Sequence, residues 1–168
     1  MALTVDDWAG QSFNFCKPVA KYPDDRQALR DIVKEGTASS ILLSQASQIC
    51  PSGHPRFFLG SDSAPHLQHS KSTSTPSQGC AAGVYTSPIL LPLVAHLLES
   101  FGALDKLGGF VSSFGRAFYK REASEASDFK VLLQRTPAGK AVIDDRYVSD
   151  NDVVVPFWAG KAIGWKIV

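Results

Sequence analysis

The segment Phe57-Phe58-Leu59-Gly60-Ser61-Asp62-Ser63-Ala64-Pro65-His66 constrains this chain more than any other. An apolar run that breaks on a glycine, a carboxylate, a proline and an imidazole reads as a buried strand with polar groups at its C-terminal end. That is where α/β and barrel enzymes keep their reacting groups. Asp62 is the first candidate for chemistry, although a carboxylate in this position also serves as a turn residue or helix cap.

The rest of the chain is arranged to support such a strand. Residues 13–19 alternate apolar and polar side chains and predict a strand halted by Pro18 or by Tyr22-Pro23. A helix follows, capped by Asp24 or Asp25, with Ala28, Leu29, Ile32 and Val33 on one face and Gly36 as its stop. The order strand, helix, strand predicts a βαβ unit in a parallel sheet. Ser87-Pro88 opens a second helix in N-cap and N1 order, running to Gly102 with a wide apolar stripe. A third is expected over residues 109–120. Short β pieces at 129–133, 141–143, 153–157 and 162–168 then form a small C-terminal appendage.

Two stretches are long for α/β connections, which usually take a few residues. Residues 37–53 carry no charge and are heavy in Ser and Gln, which marks an insertion; read blandly, it is a surface loop with a short helical piece near Ile41. Residues 62–83 are rich in Ser, Thr, Pro and Gly, with Lys71 as their only lysine, and read as a long loop of the kind that often carries function.

Length and charge exclude several classes. With 168 residues, 44% of them hydrophobic, the chain has the size of one domain. A formal net charge of +1 without a dense Lys/Arg run argues against nucleic acid as a partner. No stretch reaches the roughly 18–20 apolar residues of a membrane span, and Met1 to Gly10 lacks the pattern of a secretory signal, so a cytoplasmic location is expected. Cys16, Cys50 and Cys80 lack metal-site spacing and read as reduced thiols.

Other constellations are weaker. Asp62, His66 and His69 are a conceivable metal set, but Pro65 stiffens the loop between them and His69 lies in a polar tract. His96, among helical leucines, reads as structural, and His54 has no partner in view. The many serines lack the Gly-x-Ser-x-Gly elbow of a hydrolase triad.

Three separated motifs, Asn14-Phe15-Cys16-Lys17-Pro18-Val19-Ala20-Lys21, the segment from Phe58 to His66, and Cys80-Ala81-Ala82-Gly83, together resemble the dihydroorotase family, in its homodimeric single-function type. The resemblance continues through Leu3-Thr4-Val5-Asp6-Asp7-Trp8, Phe114-Gly115-Arg116-Ala117-Phe118-Tyr119 and Val155-Pro156-Phe157-Trp158-Ala159-Gly160. It implies an α/β fold, the C-terminal portion of a (β/α)8 TIM-type barrel of the amidohydrolase superfamily, incomplete in this chain. Residues 1–168 form one such unit, with 37–53 as the insertion.

The implied reaction is the reversible cyclisation of N-carbamoyl-L-aspartate to dihydroorotate in pyrimidine (UMP) biosynthesis, with two zinc ions bridged by hydroxide and a carboxylated lysine. Opening or closing a cyclic amide needs a nucleophile, a polarised carbonyl and a proton shuttle to the ring nitrogen, which suits such a site. By position, Asp62 corresponds to the metal-bound general acid and base, and His66 to a histidine that holds the substrate carboxylate. Lys17 and Ala82 match positions that touch substrate through their backbones. The partners implied are a small-molecule substrate and a second copy of the chain, with neither nucleic acid nor membrane.

The family's His-x-His motif, bridging lysine and remaining metal histidines have no counterpart in these residues. One carboxylate does not hold two Zn(2+) ions, since a catalytic site uses three protein ligands. The isolated chain is therefore expected to be inactive, and the insertion and missing half to reflect translated intervening sequence and a truncated gene model. The alternative is a truncated amidohydrolase-like protein that binds a partner or ligand without turnover.

Overall fold

The computed structural model describes residues 1–35, 53–72, 79–121 and 130–168. The insertion (all but Gly53), Gly36 and Cys50 fall outside the described residues. Four α-helical segments and four short strands are seen there: α1 (Pro23–Glu35), α2 (Gln68–Lys71), α3 (Leu90–Ser100), α4 (Phe114–Phe118), β1 (Leu133–Arg135), β2 (Tyr147–Ser149), β3 (Asp152–Val154) and β4 (Trp165–Ile167).

The helix α1 forms over the expected residues but starts at Pro23, so Asp24 and Asp25 lie within it rather than at its cap. Asp24 and Asp25 sit in its first turn and Lys34 in its last, which complements the helix dipole at both ends. Asp25 Oδ2 also accepts a hydrogen bond from the Tyr22 N–H at 3.0 Å, fixing the entry. Only Val33 of the predicted face is fully buried; Leu29 and Ile32 are half-buried and Ala28 is exposed.

The core is organised by α3. Leu93 packs with Leu3, Ile89, Ile143, Phe157 and Ile163, while Val94 and Leu98 pack with Val33, Ala103 and Phe110. One helix thus joins two apolar clusters, and its Leu98 has no exposure at all. A 3₁₀ turn, Ser87–Ile89, precedes it with Pro88 inside, so the predicted start holds but the N-cap falls on Thr86 rather than Ser87. At the far end Gly102 adopts φ +72°, and the N–H groups of Gly102 and Ala103 reach back to the carbonyls of Glu99 and Leu98. A left-handed glycine is the usual way to close such a turn.

The strands depart from expectation. Residues 13–19 form no strand: Ser12–Asn14 is a 3₁₀ turn whose end ties the Phe15 N–H to the Ser12 carbonyl, and Pro18 offers no donor. A single parallel bridge, Thr4↔Ala20, is what remains there. The run from Phe57 to Gly60 likewise joins no ladder. Its Leu59 N–H donates to the Phe110 carbonyl at 2.9 Å, and the Phe58 ring packs on Gly115, Phe118 and Tyr119, so the helical segment around α4 holds it instead of a neighbouring strand. Among the described residues, sheet structure is two antiparallel pairs, β1 with β4 and β2 with β3.

The third helix is split into a π turn, Gly109–Ser113, and α4. Of the predicted β pieces, β3 and β4 fall where expected, 141–143 is reduced to the bridge Val142↔Ala162, and β1 begins at the end of the 129–133 piece. The hairpin strand β2 has no sequence forecast. His96 has the structural role expected of it: its Nδ1 accepts from the Gly164 N–H at 3.3 Å, and the neighbouring Glu99 accepts from the Trp165 indole at 2.8 Å and pairs with Arg135. No helix among the described residues is long and apolar enough to cross a membrane.

Candidate functional site

Four segments meet at one end of the fold: the loop bearing Phe15 to Lys17, the turn from Asp62 to His66, α2, and residues 80–83. Backbone links stitch them together. Ala64 N–H donates to the Val84 carbonyl (2.9 Å), Gly83 N–H to Phe15 (3.0 Å) and Ala81 N–H to Ser70 (3.0 Å).

Asp62 is exposed, with φ +41°, a left-handed conformation that Asp tolerates better than most residues. Its carboxylate accepts no hydrogen bond from the described residues, so it caps no helix there. That capping task belongs to Ser63, whose Oγ accepts from the N–H groups of Thr86 and Ser87, both at 3.0 Å. Ser63 thereby holds the Asp62 backbone against the entrance to α3 and leaves the carboxylate without a hydrogen-bond partner among the described residues. Nothing in the sequence distinguished Ser63 from the serines around it.

His66 and Ala82 are brought together, with His66 Nε2 3.0 Å from the Ala82 carbonyl oxygen. A carbonyl only accepts, so Nε2 carries the proton and Nδ1 remains for another partner. Gly83, next in line, has φ +150°; a β-carbon there would lie 2.7 Å from Ala64 Cβ and 2.8 Å from His66 Nε2. Only glycine lets the two segments approach this closely. Lys17 is exposed, its ammonium 5.5 Å from the Phe15 ring centre, and the Lys17-Pro18 peptide is cis.

His69 is exposed on α2, and among the described residues no three His, Cys, Asp or Glu side chains gather in a way that holds a metal ion. Cys16 and Cys80 are free thiols. Burial pushes the Cys16 thiol pKa up, which makes it a poor nucleophile. A groove of about 590 Å³ runs up to the site: Cys16 and Pro18, on either side of Lys17, and Gly60 and Ser61, just before Asp62, line it together with apolar residues such as Leu3 and Leu93.

Comparison with known proteins agrees in sequence and in shape. The chain is 44% identical to a dihydroorotase of Mycosarcoma maydis, an alignment that takes in 100% of this chain and 49% of that protein. It is 40% identical to a dihydroorotase of Saccharomyces cerevisiae over 98% of this chain and 40% of that one. The crystal structure of dihydroorotase in complex with 5-fluoroorotic acid from Saccharomyces cerevisiae superposes with a TM-score of 0.78 at 39% identity, covering 99% of this chain and 40% of that structure. A dihydroorotase from Campylobacter jejuni gives 0.69 at 26% identity, with 99% and 42% covered. No family model matches the sequence. Across essentially its whole length, then, the chain is related to the dihydroorotases, and it spans less than half the length of the relatives it matches.

Proposed function

We propose that this chain carries the acid–base group and the carboxylate grip of a dihydroorotase site. The reaction is the interconversion of N-carbamoyl-L-aspartate and dihydroorotate. The observation that carries the reading is the turn from Gly60 to His66: it presents an exposed Asp62 carboxylate, without a hydrogen-bond partner among the described residues, four residues before the imidazole that docks on Ala82. In this reading Asp62 takes the proton from the amide nitrogen as the ring closes and returns it as the ring opens. His66, with a proton on Nδ1 as well as on the Nε2 that faces the Ala82 carbonyl, and the Ala82 N–H hold the substrate carboxylate, and the backbone at Lys17 contacts substrate.

The chain is read as the C-terminal part of an amidohydrolase (β/α)8 barrel, one unit over residues 1–168, working as a cytoplasmic homodimer. The parallel bridges Thr4↔Ala20 and Tyr85↔Pro156 support that topology. Two zinc ions belong to the reading as cofactors, with Asp62 as one of their ligands. The described residues do not fit that group by themselves, since no three-donor cluster exists among them. The same observation favours a second reading, a chain that binds its ligand without turnover unless other residues complete the site.

Asp62→Asn tests the assignment in the full-length enzyme. Loss of a general acid–base group costs on the order of 10²–10⁴ in kcat, with KM for dihydroorotate held because substrate grip lies elsewhere. Undiminished kcat would remove Asp62 from the reaction.

A further inference from the structure

Lys71 lies on α2 in a tract where the sequence reads as solvent-exposed loop, yet it is 4% exposed. Its Nζ donates to three main-chain carbonyls: Phe15 at 2.8 Å, Ala81 at 3.0 Å and Gly83 at 2.7 Å. An ammonium has three hydrogens, so every donor is used and none is left for a ligand. Among the described residues no carboxylate forms an ion pair with it.

The carbonyls chosen are informative. Ala81 and Gly83 flank Ala82, whose own carbonyl faces His66 Nε2, so three consecutive carbonyls are held by Lys71, His66 and Lys71 again. The N–H groups on either side, of Ala81 and Gly83, donate to Ser70 and Phe15. Among the described residues only the middle one, the Ala82 N–H, has no acceptor. Phe15 stands two residues before Lys17, so the same ammonium ties that loop as well.

We propose that Lys71 is the positioning residue of this site, a buried ammonium that fixes the Ala81–Gly83 backbone so that the Ala82 N–H stands ready for an anionic oxygen, the carboxylate of the substrate. The unpaired positive charge behind the turn favours an anion in front of it, and a rigid donor needs no reordering on binding. Burial pushes the lysine pKa down, as expected for a cation taken from water without a carboxylate. The assignment of the anion rests on the proposed dihydroorotase reading; the clamp itself does not.

The test uses Lys71→Met and Lys71→Ala. Amide hydrogen exchange at Ala81 and Gly83, with Leu98 in α3 as the fold control, reads the clamp without any substrate. We expect about tenfold or faster exchange at both sites with Leu98 unchanged. In the full-length enzyme KM for dihydroorotate should rise about tenfold or more while kcat stays within about threefold, the mark of lost ground-state grip. Propylammonium should restore KM in Lys71→Ala, which leaves space for it, and not in Lys71→Met.

Unchanged exchange at Ala81 and Gly83 overturns the clamp, and a fall in kcat at constant KM overturns the positioning role. Should both variants lose Leu98 protection, amine rescue of Lys71→Ala decides: recovery supports the proposal and its absence refutes it. A parent enzyme that leaves dihydroorotate unturned would refute the substrate reading alone, with exchange still deciding the clamp.

Discussion

Replacing Gly83 by alanine perturbs the closest approach in the site. The added Cβ would stand 2.7 Å from Ala64 Cβ, 2.8 Å from His66 Nε2 and 3.0 Å from the Ala64 carbonyl oxygen. Two costs act together. Holding a residue with a side chain in a glycine-only backbone conformation costs about 1–3 kcal/mol. Overpacking against neighbours that include main chain costs about 1–3 kcal/mol more. Relief by movement is limited, because Ala64 is tied to Val84 and Gly83 to Phe15 through the backbone. A total of about 2–6 kcal/mol, at a urea slope of about 2 kcal/mol/M, lowers the unfolding midpoint by about 1–3 M. Urea denaturation followed by tryptophan fluorescence reads this directly. A midpoint within about 0.3 M of the parent would refute the argument that this contact requires glycine.

Two further outcomes follow from the geometry. Asp7 Oδ2 accepts from the Thr4 N–H (2.7 Å), the Thr4 hydroxyl (3.0 Å) and Arg26 (3.1 Å), and the Thr4 amide above all holds its pKa below the usual 3.8. A depressed carboxylate stabilises the fold above its unfolded pKa and loses that contribution as pH falls through the folded value. Asp7→Asn should therefore cost about 1 kcal/mol near neutrality, discounted for its 40% exposure, and flatten the stability profile below about pH 5. An unaltered acid profile in denaturant titrations would contradict this. Asp62→Asn, whose side chain has no hydrogen-bond partner among the described residues, should leave the urea midpoint within about 0.3 M, so any loss of turnover is chemical.

Much of the helical framework was legible because it rests on local pattern. The stripe from Leu90 to Leu98 and the acidic first turn of α1 are set by spacing and capping, and both helices form there. The strands at 13–19 and 57–60 were not, since a strand exists only through its neighbour, and alternation says nothing about whether that neighbour is present. Phe58 illustrates the point: its apolar character is real, but the surface that satisfies it is Gly115 and Phe118.

At the site, composition alone left Asp62 ambiguous between a turn residue and a reacting group. The motif resemblance supplied His66, Ala82 and Lys17, and the structure joins His66 to Ala82 while leaving the Lys17 side chain in solvent. Ser63 and Lys71 were not read as residues of the site, for one reason. Both sit in a Ser- and Thr-rich tract that predicts exposure, and their importance arises from distant carbonyls and amides that only the folded chain brings near.

The central claim is that these residues supply the proton shuttle and carboxylate grip but not the metal cradle of a dihydroorotase. Zinc content and dihydroorotate hydrolysis of the purified chain, alone and with an added N-terminal half of a dihydroorotase, test it most directly. The account predicts fewer than about one zinc ion per chain and no turnover alone, then metal uptake and Asp62-dependent turnover with the added half. Two zinc ions and turnover from the chain by itself, or no gain on complementation, would contradict it.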